Sequence, residues 1–175
     1  MELKTNYFKL GLFIISAAAV IVIMLVGLGV GMFDAKKIYV ETYFDESVQG
    51  LSSGSTVHYR GFPIGKVDRI SFVTYDYGFD KDSEVFKTYR KYVRVIFVIE
   101  DTRIADQKIE VMENMLGSLI AQGGRIRLTQ QPLTGISYLD IDFLDPKMYP
   151  PMKIAWDSEY LYIPSAPSVL STFTH

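Results

Sequence analysis

The chain opens on a long run without a charged side chain, from Leu10 to Phe33. Those 24 residues would reach about 36 Å as a helix, against a hydrocarbon core of about 30 Å. The run therefore predicts a single membrane-spanning helix at 10–33, with some tilt, behind a cytoplasmic tail at 1–9. The competing reading is a cleaved signal peptide, whose apolar stretch is about 7–15 residues and ends in small residues. Here Ala17-Ala18-Ala19 sits inside the run and Val20-Ile21-Val22-Ile23-Met24-Leu25-Val26 follows it, which favours an uncleaved anchor. Lys4 and Lys9 precede the run, and Lys36 and Lys37 follow it, so the positive-inside rule is nearly balanced. A short tail before the helix and a whole domain after it favour the tail inside and the domain outside. Gly27 and Gly31 make a GxxxG pair, a spacing that lets another helix backbone approach closely. Glycine is also common in membrane helices, and both readings stay open.

After Asp34-Ala35 the period changes from a helix to a strand. From Lys36 to Phe44, Ile38, Val40 and Thr42 alternate with Tyr39, Glu41 and Tyr43, the mark of a β-strand. So short a linker places the domain close to the membrane. Asp45 to Gly54 is turn-rich, Ser55 to Arg60 is strand-like with Val57 and Tyr59 on one face, and Gly61-Phe62-Pro63-Ile64-Gly65 is expected to break the strand. A further alternation runs from Lys66 to Thr74. Tyr75 to Thr88 has no period and predicts a long surface loop or hairpin tip. Tyr92 to Glu100 is the clearest strand, apolar on both faces through Val93, Val95, Phe97 and Ile99 and through Ile96 and Val98, hence central. One helix is expected from Asp106 to Gln122, with Ile109, Met112, Leu116 and Leu119 as its stripe, widened by Met115 and Ile120. Asp106 is its candidate N-cap and Gly123-Gly124 its stop. Arg125–Thr129 and Ser137–Leu144 predict a strand pair, with Leu139, Ile141 and Phe143 facing inward. Short alternating strands with frequent turns predict a small sandwich or barrel.

Composition narrows the chemistry. Behind the anchor about 140 residues remain, enough for one domain with its own core. The formal net charge is −2, with no basic excess to displace counterions from a nucleic acid, so nucleic-acid binding is not expected. Cysteine is absent, which removes disulfides, thiolate metal sites and a cysteine nucleophile. The two histidines, His58 and His175, are too far apart in sequence to suggest a histidine-rich metal site. Asp80-Lys81-Asp82 places two carboxylates near each other, but the third oxygen ligand, glycine and final glutamate of a calcium loop are missing. Asp140 and Asp142 could serve as acid and base, but their alternation with apolar residues reads more simply as a solvated strand face. No Ser-His-Asp set, phosphate loop or zinc-binding pattern is present, so neither an enzyme nor a cofactor is expected.

The stretch Tyr43-Phe44-Asp45-Glu46-Ser47-Val48-Gln49-Gly50-Leu51-Ser52-Ser53-Gly54-Ser55-Thr56-Val57-His58-Tyr59-Arg60-Gly61-Phe62-Pro63-Ile64-Gly65-Lys66-Val67 resembles the opening of the MCE (mammalian cell entry) domain. Its skeleton is a Phe, then Gly-Leu, then Gly-Ser-x-Val-x-Tyr-Arg-Gly, then Gly-Lys-Val. Leu128-Thr129-Gln130-Gln131-Pro132-Leu133-Thr134-Gly135, with the strand to Phe143, is similar to the later MCE strands, closest to the PqiB-like branch. The resemblance covers roughly 36–146. It implies an all-β fold, a seven-stranded β-barrel with one short helix behind the N-terminal membrane helix, and a C-terminal extension at 147–175. It also implies a homohexameric ring in the MlaD-like manner: single-pass in the bacterial inner membrane, its MCE domain in the periplasm, seated on an MlaE-like permease and an MlaF-like ATPase. The implied role is to move phospholipids or other hydrophobic molecules between the inner and outer membranes. Carried over residue by residue, the loop that lines the hole is Gln130, Gln131, Pro132, Leu133 and Thr134, with Leu133 at its tip. Ile163 to Leu170 resembles the lead-in to a long C-terminal helix in this family, and the chain ends at His175, which fits either a short form or a truncated one. A membrane-anchored adaptor that bridges the periplasm without binding lipid is the alternative from another functional class.

Overall fold

The computed structural model describes residues 7–30, 37–100 and 109–168. The chain divides into two compact units, 1–35 and 36–175. In the first, helix α1 (Tyr7–Val30) is continuous, and its large side chains, among them Phe8, Phe13, Ile15 and Ile23, are exposed. A helix apolar all round is matched to a non-aqueous solvent, and this one is long and apolar enough to cross a membrane. Gly27 falls within it. Gly31, the linker residues Asp34 and Ala35, the cap Asp106 and His175 lie outside the described residues.

The second unit contains β1 (Ile38–Phe44), β2 (Thr56–Tyr59), β3 (Phe62–Phe72), α2 (Val73–Asp76), α3 (Glu84–Tyr89), β4 (Val93–Ile99), α4 (Ile109–Ala121), β5 (Gly124–Gln130), β6 (Ser137–Phe143) and β7 (Leu161–Tyr162). The sheet order is β5-β6-β2-β3-β4-β1-β7. Sequence neighbours β2–β3, β3–β4 and β5–β6 pair antiparallel, as does β1–β4, while β2–β6 and β1–β7 are parallel. A parallel bridge between Ile126 and Ser165 joins the two edges of the sheet. There the Ile126 N–H donates to the Pro164 carbonyl (3.0 Å) and the Ala166 N–H to the Ile126 carbonyl (2.8 Å). The seven-stranded sheet thus curls into a barrel whose two edges meet at this one bridge. The closing segment, 161–166, comprises β7 and the bridge residue Ser165 and lies beyond the stretch that resembles the MCE domain.

Strand register defines two ends of the barrel. Ile38, Ile99 and Gly65 are aligned at one end, here called the lower end, and Phe44, Val93 and Phe72 at the upper end. The interior is filled by Val40, Phe44, Val57, Val95, Phe97 and Leu139 with their neighbours. Helix α4 buries Met112 in this core and packs Leu116 and Leu119 against it, while Met115 is exposed. Strand β4 is buried on both faces, as its sequence predicts.

Three expectations need correction. The chain does not break at 61–65: β3 starts at Phe62, and only Arg60 and Gly61 turn, with φ of 50° and 83°, the two positive values that a tight hairpin turn requires. Pro63 is tolerated because β4 pairs no further down than Gly65, leaving Pro63 at a locally unpaired edge. The region 75–88 is not a bare loop; it holds the end of α2 and most of α3, the latter capped by the Ser83 Oγ, which accepts from the Phe86 N–H at 3.1 Å. Phe143 continues the inward row of β6 but reaches past the core and is exposed at the lower end.

Candidate functional site

Strands β5 and β6 stay in register from the Gly124–Phe143 pair to the Gln130–Ser137 pair, so residues 131–136 form a hairpin loop at the upper end. Several hydrogen bonds brace the loop from within. The Gln131 N–H donates to the Ile136 carbonyl (2.9 Å) and the Gly135 N–H to the Gln131 carbonyl (3.0 Å). The Thr134 hydroxyl pairs with Gln131 Oε1 at 3.0 Å, and Gln130 Nε2 donates to the Gly135 carbonyl at 3.2 Å. The base is fastened to the turn after β1. The Ser137 N–H donates to the Gly50 carbonyl (3.0 Å) and its hydroxyl to the Gln49 carbonyl (2.7 Å). Gly50 has φ of 83°, and a Cβ there would run into the Gly135 carbonyl, so both the backbone angle and the close approach call for glycine.

Two large apolar side chains of the loop stay in solvent, Leu133 and, less fully, Ile136. Leu133 is 99% exposed at the tip. Beside the loop lies an open cleft of about 530 Å³, lined by Glu46, Gln49, Leu128, Gln130, Pro132 and Ser137 among others. The structure therefore brings Gln130, Gln131, Pro132, Leu133 and Thr134 together on one rigid loop that offers apolar surface and no reactive group. Gly27 belongs to the other unit, on α1. Asp140 and Asp142 are half-buried, and their oxygens accept from backbone N–H groups of Gly61 (3.4 Å) and Phe143 (2.8 Å).

A second constellation, unforeseen from the sequence, lies on the outer face of β1 and β4. Glu41 is 0% and Arg94 1% exposed. The guanidinium grips Glu41 through Nε (2.8 Å) and Nη2, reaches Asp76 through Nη1 (3.0 Å), and reaches Glu159 through Nη2 (2.8 Å). The Tyr43 hydroxyl donates to Glu41 Oε1 at 2.6 Å and accepts from Trp156 Nε1 at 3.0 Å. Tyr77 also donates to Glu41 (3.0 Å) and lies under the Arg94 guanidinium, 4.8 Å from the ring centre. Burial works against the charge of Arg94, but the bonds from Glu159, Glu41 and Asp76 outweigh it and raise its pKa. Burial, then the bond to Glu41, pushes the Tyr43 hydroxyl up. The Arg94 hydrogen bond holds the Glu159 carboxyl below its ordinary value. The Glu41 oxygens are taken up inside the protein, so this cluster fastens the segment carrying Trp156 and Glu159 to the barrel wall. The sequence offered one partial sign: an arginine within β4, a run otherwise apolar on both faces, needs a buried partner, but nothing in the sequence pointed to Glu41 or Trp156 as that partner.

Nearby, Arg125 is fully buried and donates to the carbonyls of Tyr149 (2.9 Å), Ile120 (2.9 Å) and Gly124 (2.8 Å). It ties the C-terminal turn of α4, where the helix dipole favours a cation, to the same outer segment. Burial lowers its pKa. Among the described residues no group of carboxylates and histidines is placed to hold a metal ion.

The MlaD protein family model matches residues 36–144. No curated protein matches the chain. Among solved structures, a chain of the Acinetobacter MlaFEDB complex in its ATP-bound Vtrans1 conformation is similar over 98% of this chain and 100% of its own length, at 15% identity and a TM-score of 0.45.

Proposed function

The chain belongs to the MlaD family, and from that premise we propose that it is the membrane-anchored, lipid-handling subunit of an MCE-type ABC transport system. Six copies form a ring, and their loops at 130–134 converge on its hole. Helix α1 anchors each copy in the bacterial inner membrane, with the β-barrel in the periplasm. An MlaE-like permease and an MlaF-like ATPase complete the assembly, and the ATPase supplies the energy. The cargo is a phospholipid or another hydrophobic molecule, moved between the inner and outer membranes. The chain itself carries no catalytic role.

The observation that carries this reading is the display of Leu133. A fully solvated leucine is poor use of an apolar side chain in a monomer, yet this one is held out on a loop braced by several hydrogen bonds of its own. Ringed six times, it makes a greasy constriction suited to an acyl chain and hostile to an ion. Leu133→Asp is expected to abolish lipid transfer between donor and acceptor vesicles by the reconstituted transporter, with the oligomer retained in native mass spectrometry. Unimpaired transfer by an assembled Leu133→Asp complex would remove the loop from the lipid path.

A further inference from the structure

The lower end of the barrel carries a cluster that neither the core nor the hairpin loop uses. Tyr59, Phe62 and Phe143 end three adjacent strands, β2, β3 and β6. Tyr59 and Phe62 are cross-strand partners flanking the Arg60-Gly61 turn, so their side chains leave the same face of the sheet. Tyr59 and Phe143 rings meet edge-on, 6.2 Å apart. All three continue the inward-pointing rows beyond the point where the core ends. They are 36%, 56% and 36% exposed, together roughly 250 Å² of aromatic surface in water at the usual size of such side chains. The neighbouring Pro63 is exposed as well. A patch of this size is unremarkable for a soluble monomer; its position is what singles it out.

Strand β1 begins at this same end, at Ile38. Ile38 follows Val30, the last residue of α1, by eight positions in the chain, a stretch that spans at most ~28 Å when fully extended. The lower end is therefore the end covalently tied to the apolar helix. Aromatic side chains beside a basic tip residue, here Arg60, are the chemistry that settles at the boundary between headgroups and acyl chains. The tip is also stiff: a two-residue turn with both φ positive offers the aromatic pair without a flexible arm.

We infer that the Tyr59–Phe62–Phe143 end of the barrel is a lipid-bilayer contact surface. This rests on reading α1 as a membrane anchor. The charges described at this end are mixed, with Lys66 paired to Glu100 (3.2 Å) and Asp142 and Asp145 near Arg60 and Lys147 in sequence or register, so the contact is apolar and does not depend on anionic lipid.

The chain contains no cysteine, which makes single-site labelling clean. The full chain is reconstituted in phosphatidylcholine liposomes with an environment-sensitive fluorophore on Arg60→Cys, and quenching is read with lipids carrying a nitroxide near the top of the acyl chain. Labels on Ala18→Cys, within α1, and on Tyr75→Cys, at the upper end of the barrel, run in parallel. The Arg60→Cys and Ala18→Cys labels are expected to be quenched and the Tyr75→Cys label spared. Adding Tyr59→Ser and Phe62→Ser should reduce the quenching at position 60 by roughly two-fold or more, with circular dichroism unchanged because both side chains are at the surface. Quenching at Ala18→Cys alone would overturn the contact while leaving the anchor in place; quenching at neither would overturn both. Shielding at position 60 that rises with protein density and shows no lipid quenching would assign the patch to a second copy of the chain instead.

Discussion

On the inner face of strands β1 and β4, Val40, Phe44, Val95 and Phe97 are sealed from solvent by other apolar side chains. On the outer face of the same strands, Glu41, Tyr43 and Arg94 are sealed as thoroughly, but by a hydrogen-bonded lattice that includes Trp156 and Glu159. The two faces stabilise by different rules. Inside, burial sums over many non-directional contacts and tolerates modest changes of shape. Outside, a buried charge is tolerated only while its partner is present. The outer lattice also has a topological role. It pins the segment that leads into β7 and then to the Ser165 bridge with Ile126 on β5. The strand that carries the Leu133 loop is therefore held at its outer edge by charges that the core does not contain.

The largest test of that difference is Arg94→Met. It leaves Glu41 buried without a counter-charge and is expected to cost about 3–5 kcal/mol. Combining it with Glu41→Leu should recover part of the loss, so that the double variant is destabilised by less than the sum of the two singles. Urea unfolding of the full chain in detergent micelles, followed by circular dichroism, measures the cycle. Trp156 is the one tryptophan and sits in the lattice, so its fluorescence should report release of the outer segment before the barrel melts in Arg94→Met. A strictly additive cycle would show that the outer face behaves like the inner one.

Legibility in the sequence divided along the same line. The inner rows of β1, β4 and β6 could be read from alternation because water and core sort side chains by polarity. The outer row Tyr39-Glu41-Tyr43 could not, since a polar residue sealed by a distant segment looks, in sequence, like one facing solvent. Trp156 and Glu159 lie more than a hundred residues from Glu41, and no period connects them. The short helices α2 and α3 were missed because one or two turns cannot display a stripe; only the Ser83 cap announced the second. Pro63 and Gly65 were read as breakers because their tolerance depends on where β4 stops. For the candidate site, the pattern of two strands around Gln130–Thr134 located a hairpin, but nothing in five uncharged residues named a role. That came from the resemblance. The bracing by Gly50 and Ser137 became visible only with the fold.

A milder probe contrasts the inner face directly. Ile126→Val removes one methylene from a fully buried side chain on β5, at the closing bridge, and is expected to cost about 0.5–1.5 kcal/mol. Here fluorescence and circular dichroism should report one coincident transition, because no hydrogen bond or charge is disturbed and the outer segment stays fastened. Early loss of the Trp156 signal in this variant would mean that closure at Ile126, rather than the Arg94 lattice, holds the segment down.

The smallest effect is expected at Glu159, the one carboxylate of the lattice that is half exposed. Its Arg94 bond lowers its pKa in the folded state, while the unfolded chain keeps a value of about 4.3. The unfolded state then binds the proton more readily, so the stabilisation is fully present above that value and is lost as pH falls through the lower, folded pKa. Solvent screening keeps the contribution below about 1 kcal/mol. Glu159→Gln should therefore unfold slightly earlier than the parent at pH 7. The gap between the two thermal midpoints should shrink as the solution is acidified below the ordinary carboxylate range, where the parent's Glu159 is itself neutral. Glu41, sealed in the same lattice, is unchanged by this substitution, so a loss comparable to that of Arg94→Met would mean that the exposed rim, and not the buried pair, carries the outer face.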